Sequence, residues 1–141
     1  MSLDDAVLQS PRMSQPETSP SGPLAPFAAV TVVRGAVVVK FAFKTMFDPM
    51  EIERLQGLME ELVRQTRAAC YVLDMEVVEF VSSGFLGLLI SASQTLKGMG
   101  SKTRLCRMAP GILRVIKTTH LDRVLDIRGT LDEAFADLTP A

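Results

Sequence analysis

The segment VVEFVSSGFLGLLISA, residues 77–92, places two adjacent serines and a glycine where an extended apolar stretch passes into a helical one. Ser82 and Ser83 could serve there as a nucleophile, as a phosphate acceptor, or as the cap of a buried helix. Nucleophilic hydrolysis needs a serine or cysteine held by a base. The chain has one histidine, His120, in a Thr-Thr-His-Leu turn, and no pattern in the sequence brings it to the serines. It reads as a polar residue of a loop or helix end. Positions 81–85 read V-S-S-G-F, which departs from the G-x-S-x-G nucleophile elbow. Asp74, at the end of a predicted strand, has no evident partner carboxylate for acid–base work and is read as structural. These residues point away from an enzyme.

Other chemistries fare no better. Neither G-x-x-x-x-G-K-[ST] nor G-x-G-x-x-G is present. Gly98-Met99-Gly100 lies at the end of a predicted helix, the wrong end for an anion. Cys70 and Cys106 each fall inside a predicted strand and read as buried, reduced thiols rather than a disulfide. With a single histidine, no metal-ligand cluster and no cofactor are expected.

Composition sets the frame. At 141 residues and 48% hydrophobic, the chain can bury one ordinary core without staples. Fifteen Lys and Arg against sixteen Asp and Glu give a net charge of −1, which argues against a nucleic-acid binder. No apolar run approaches the length that spans a bilayer. The start MSLDDAV is acidic and no apolar region of a signal peptide follows it, so a cytoplasmic protein is expected.

The elements that must position the serines follow from local pattern. Residues 1–26 hold five of the eight prolines among Ser, Thr and Gln and read as a flexible tail. Ser10-Pro11 and Ser19-Pro20 within it are composition more than signal. From Phe27, FAAVTVVRGAVVVKFAF predicts a hairpin over 27–33 and 36–43 with Gly35 in the turn. A helix follows, with Asp48 at the N-cap, Pro49 at the first turn and Glu51 at N3. Ile52, Leu55, Leu58, Met59, Leu62 and Val63 form its apolar face. CYVLDM (70–75) reads as a strand covered on both sides. A second helix over 84–97, a strand over 103–108, a short helix opened by Pro110 and a strand over 123–127 come next. Thr130 with Glu133 predicts a capping box on a last helix that ends near Leu138. The order β-β-α-β-α-β-α-β-α implies a largely parallel α/β sheet with right-handed crossovers behind an antiparallel hairpin.

From about Phe27 to Leu138 the chain resembles the STAS domain in its stand-alone form, the anti-sigma factor antagonist. YVLDMEVVEFVSS looks like the family's strand, connection and serine-containing turn, and LGLLISASQTLKGMGSKTRLCRMAPGILRVIKTTHLDRVLDI matches its later elements in spacing. GTLDEAFADL resembles the closing helix, and Asp48 with Leu55 matches the family's D-x-x-x-x-x-x-L start. The resemblance implies one domain over 27–141: a mixed sheet of about five strands with about four helices mainly on one face. It also implies no catalysis, and a protein partner such as a histidine-kinase-like serine kinase that acts as anti-sigma factor. In the family, phosphorylation at the start of the second helix releases that partner. The switch loop would comprise Asp48, Ser82, Ser83, Gly84 and Phe85, with Ser83 or Ser82 the possible acceptor.

The family segment usually reads D-S-[S/T]-G-L. A gapless alignment through Phe80 and Leu86 sets Ser82 on the aspartate, Ser83 on the first serine, Gly84 on the acceptor and Phe85 on the glycine. A gapped one sets Ser83 on the acceptor and Gly84 on the glycine. Periodicity favours the gapless version, in which the acceptor hydroxyl is absent. Phe85 would then be either an exposed partner contact or a core residue. The alternative expectation for function is an accessory subunit of a transport or lipid-handling system. The oligomeric state stays open.

Overall fold

Strand pairing begins at a tight turn. The structure, a computed structural model, describes residues 22–138. Arg34 (φ 54°) and Gly35 (φ 80°) both adopt the left-handed conformation that a two-residue hairpin turn requires, joining β1 (Ala28–Val33) to β2 (Ala36–Phe41). Then come α1 (Pro49–Thr66), β3 (Cys70–Asp74), α2 (Ser83–Gly98), β4 (Lys102–Cys106) and α3 (Pro110–Thr118). A 3-10 turn (Leu121–Arg123), β5 (Asp126–Arg128) and α4 (Leu131–Ala134) complete the order. The five strands lie in sequence order, β1 antiparallel to β2 and the other pairs parallel. This is the expected mixed α/β sheet.

Alternation along the strands sorts the two layers. Val37, Val39 and Phe41 of β2, Tyr71 and Leu73 of β3, and Leu105 of β4 share a core with Leu55 and Leu62 of α1, Leu88 and Leu89 of α2, and Ile112 and Ile116 of α3. The intervening residues Val38, Cys70, Val72 and Cys106 meet Ala134 and Phe135 on the other side. All five residues of β3 are buried, as its unbroken apolar run predicts.

Several boundaries moved, β2 ending at Phe41 and β4 spanning Lys102–Cys106, and three other shifts have identifiable reasons. β5 starts at Asp126, three residues later than the pattern suggests, because His120 (φ 61°) turns the chain and 121–123 coil into the 3-10 turn. The last helix stops at Ala134, short of Leu138. Buried Arg104 donates Nη1 hydrogen bonds to the carbonyls of Ala134 (3.0 Å) and Ala136 (2.6 Å), and Asp137 (φ 68°) reverses the backbone. Its capping box from Thr130 to Glu133 forms as read. Of the segment read as a tail, residues 1–21 lie outside those described, as do Ser10-Pro11 and Ser19-Pro20. Leu24 is described and is fully buried in the main core, so the core draws on a residue ahead of Phe27.

Cys70 and Cys106 are unpaired and buried on the α4 side. Burial, and secondarily the charge of Asp74, pushes the Cys106 thiol from 9.0 up to about 11; burial raises Cys70 too. Both are therefore poor nucleophiles at neutral pH. From pH 9.0 to about 11 the folded chain keeps a Cys106 proton that the unfolded chain has lost, so stability falls as pH rises through that window. Urea unfolding from pH 8 to 11 is expected to show that decline, and Cys106→Ala to flatten it. A slope unchanged in Cys106→Ala would refute the assignment.

Candidate functional site

The serine turn is built by two loops stitched together at the carboxyl edge of the sheet. One follows β2 and the other follows β3. The amides of Glu79 and Phe80 donate to the carbonyl of Lys44 at 2.8 and 3.2 Å. Ser82 Oγ donates to the carbonyl of Met46 at 2.7 Å and accepts from the amide of Phe85 at 3.1 Å. Ser82 is thus the N-cap of α2 and, through the same oxygen, ties that helix to the loop leading into α1. Asp48 caps α1 in turn, its carboxylate accepting from the amide of Met50 at 2.9 Å. Asp48 is the anchor of the neighbouring loop, with its acceptor oxygen used inside the chain.

The other loop residues separate cleanly. Ser83 opens α2 and is exposed. Gly84 faces α1, and a Cβ there would sit 2.9 Å from Ile52 Cδ1, so the tip of an α1 side chain reaches α2 at this point. Phe85 is fully buried. Its ring packs edge-on against Phe41 (5.3 Å between centroids, 87°) and Phe43 (5.2 Å, 82°). Phe85 therefore belongs to the core and makes no outward contact, which corrects the reading of it as an exposed partner residue. In the two loops and the first turn of α1, the large apolar side chains that reach solvent are Phe47, Met50 and Phe80, at 63%, 73% and 62% exposure. Sequence pattern missed them because Phe47 and Phe80 lie in loops, which carry no period, and Met50 lies in the first turn of α1 off its apolar face. The signal was only that three large apolar residues stand beside the serine turn and outside any amphipathic face.

Other groups of catalytic residue types lie elsewhere or are engaged in ion pairs and hydrogen bonds. His120 follows α3, whose direction carries it to the opposite edge of the sheet from Ser83. Asp74, 1% exposed, is held by the guanidinium of Arg107, with Nε donating to Oδ1 at 3.1 Å, and receives the amide of Glu76 at 3.1 Å. The bond to Asp74 raises the pKa of Arg107 above its ordinary value. Glu76 joins Arg107 (3.2 Å) and Lys40 (3.0 Å) in the same network. This closes the β3 end of the sheet with paired charges. Among the described residues no group of three His, Cys, Asp or Glu could hold a metal ion, and no helix is long and apolar enough to cross a membrane.

The division of labour between the serines is testable by stability. Ser82→Ala removes a cap and the tie to Met46 and is expected to cost about 1–2 kcal/mol. Ser83→Ala, at an exposed hydroxyl, is expected to stay within about 0.5 kcal/mol of the parent. Denaturant midpoints of the two variants measure this, and equal losses would disprove it.

Comparison with known proteins bears on the whole domain. The structure is similar to an anti-sigma-factor antagonist (STAS) domain protein from Planctomyces limnophilus: TM-score 0.69 and 24% identity, over 79% of this chain and 97% of that one. It is equally similar to an anti-sigma factor antagonist from Mycobacterium paratuberculosis, at TM-score 0.69 and 24% identity over 84% and 97%. The Bacillus cell fate determinant SpoIIAA in its phosphorylated form matches at TM-score 0.57 and 21% identity over 77% and 96%. Identities this low speak to the fold. The family model for the STAS domain matches residues 29–134, from the first strand through the last helix, and the chain belongs to the STAS domain family.

Proposed function

We propose that this chain is a non-catalytic, partner-binding module of the anti-sigma factor antagonist kind, working through the turn at the start of α2 and switched by phosphorylation of Ser83. The carrying observation is the contrast between neighbouring hydroxyls. Ser82 Oγ is engaged on both sides, whereas Ser83 stands exposed in the first turn of a sixteen-residue helix.

The same geometry favours the gapped alignment over the gapless one. A Cβ at position 84 would meet only the mobile tip of the Ile52 side chain, so what favours the gapped version is the burial of Phe85 in the leucine position together with the exposure of Ser83. Phe85, buried, then stands on the family's leucine, and Ser83 on its acceptor. A phosphate on Ser83 would add about −1.5 to −2 charges beside the positive end of the α2 dipole, which tolerates it. It would also stand beside the exposed Phe47, Met50 and Phe80, where an apolar partner surface would have to desolvate it. The partner that fits is a histidine-kinase-like serine kinase that binds the unmodified form and is released by its own product. The setting is the cytoplasm and transcriptional or signalling control.

Incubation with ATP and the serine kinase of the native host is expected to place one phosphate on Ser83, retained in Ser82→Ala and lost in Ser83→Ala. Affinity capture should recover that kinase with the parent chain and not with Ser83→Glu. Phosphate elsewhere, or recovery of transport components in place of a kinase, would displace this reading in favour of the accessory-subunit alternative. Phe47→Ala and Phe80→Ala are each expected to weaken capture about tenfold or more with little change in melting temperature. Unchanged binding in both would move the contact surface elsewhere.

A further inference from the structure

The cleft between α1 and α2 is unused by anything described so far. Both helices run the same way, because each returns from one parallel strand to the next. They touch near their first turns, at Ile52 and Gly84. Beyond that contact the space between them opens into a cavity of about 210 Å³. Its floor is the sheet, at Val39, Tyr71 and Leu73. Met59 and Leu62 of α1 face Leu88 and Leu96 of α2 across it. Native interiors hold few voids much larger than a water molecule, and an apolar cavity of about 150 Å³ is enough to take up benzene.

The mouth decides the ligand's polarity. Gln56 of α1 and Ser91 and Thr95 of α2 supply uncharged hydrogen-bonding groups there. The charged residues at the rim are of opposite sign, Glu60 and Arg64, and the Arg64 guanidinium is paired with Glu61. No surplus of positive charge awaits a carboxylate. Met99, exposed at the rim, has the flexible side chain that adapts to ligands of differing shape.

We infer that the α1–α2 cleft binds a small uncharged apolar molecule, the size of one aromatic ring or a chain of roughly six to eight carbons, with a hydroxyl- or amide-like end at the mouth. The inference is independent of the phosphorylation of Ser83 and neither needs it nor supports it.

The chain carries one tyrosine and no tryptophan, so its intrinsic emission comes from a residue that lines the cleft. The Tyr71 hydroxyl is held by Thr66 Oγ1 (2.6 Å) and the amide of Ala68 (3.0 Å), which fixes the ring in place. Titration of the full chain with 1-octanol is expected to change Tyr71 emission saturably, with a midpoint at or below about 1 mM. Octanoate should bind about tenfold more weakly, because its charge must be desolvated without a partner. Ala92→Phe, which fills the cleft from α2, should abolish the saturable response. Should that variant fail to fold, amide shifts of the parent chain with 1-octanol decide the matter: they must cluster on cleft residues of α1, α2 and β3. Absence of saturation, an unaltered response in folded Ala92→Phe, or shifts scattered outside the cleft would overturn the inference. Tighter binding of octanoate than of 1-octanol would overturn the uncharged ligand.

Discussion

The rest of the molecule depends on the complete burial of β3. A strand with both faces covered needs helices on each side, and its five residues divide between two cores by simple alternation: Tyr71 and Leu73 toward α1 and α2, Cys70 and Val72 toward α4. A buried strand must also end without stranding a charge. Asp74 does so by taking the Arg107 guanidinium and the Glu76 amide, and Arg107 accepts a left-handed backbone (φ 57°) to reach it. The charge network at the carboxyl edge is the consequence of burying this strand, and the loop that carries the serines leaves the sheet from its end.

At that loop, two chemically identical side chains one residue apart acquire different roles. The N-cap position has extended backbone (φ −81°, ψ 163°), which turns Ser82 Oγ back over the helix's free amides. The next residue is already helical, and its hydroxyl projects outward. A single oxygen, that of Ser82, then joins three segments: the end of the β3 loop, the first turn of α2 and the loop before α1. Exposed Phe47 and Phe80 are held where they are by this joint and by the paired amides at Lys44.

The small residue at position 84 has a similar double meaning. Read as a motif, Gly84 looks like a vacancy where a hydroxyl belongs. In three dimensions it is a contact: the tip of the Ile52 side chain from α1 lies where a Cβ would stand and would have to turn aside for one. That contact brings the two helices together at one end while Tyr71 and its neighbours line a cavity between them farther along. Arg104 acts comparably on the far face, where its guanidinium claims the carbonyls that a longer α4 would have used for itself.

Local chemistry was legible because it depends on near neighbours alone. The Asp48 and Thr130 caps, the Gly35 turn, the amphipathic face of α1 and the unbroken apolar run of β3 are each set by residues within a few positions, and the order of elements carried the family resemblance. Three things were decided only by the tertiary structure. Phe85 became core because Phe41 and Phe43, more than forty residues away in the chain, close over it. Leu24 became core although its proline-rich surroundings have the composition of a tail. Ser83 rather than Ser82 kept an available hydroxyl because the Met46 carbonyl, 36 positions away, consumes the other. Periodicity and propensity describe what a segment prefers in isolation, whereas burial and hydrogen-bond occupancy are properties of what folds against it.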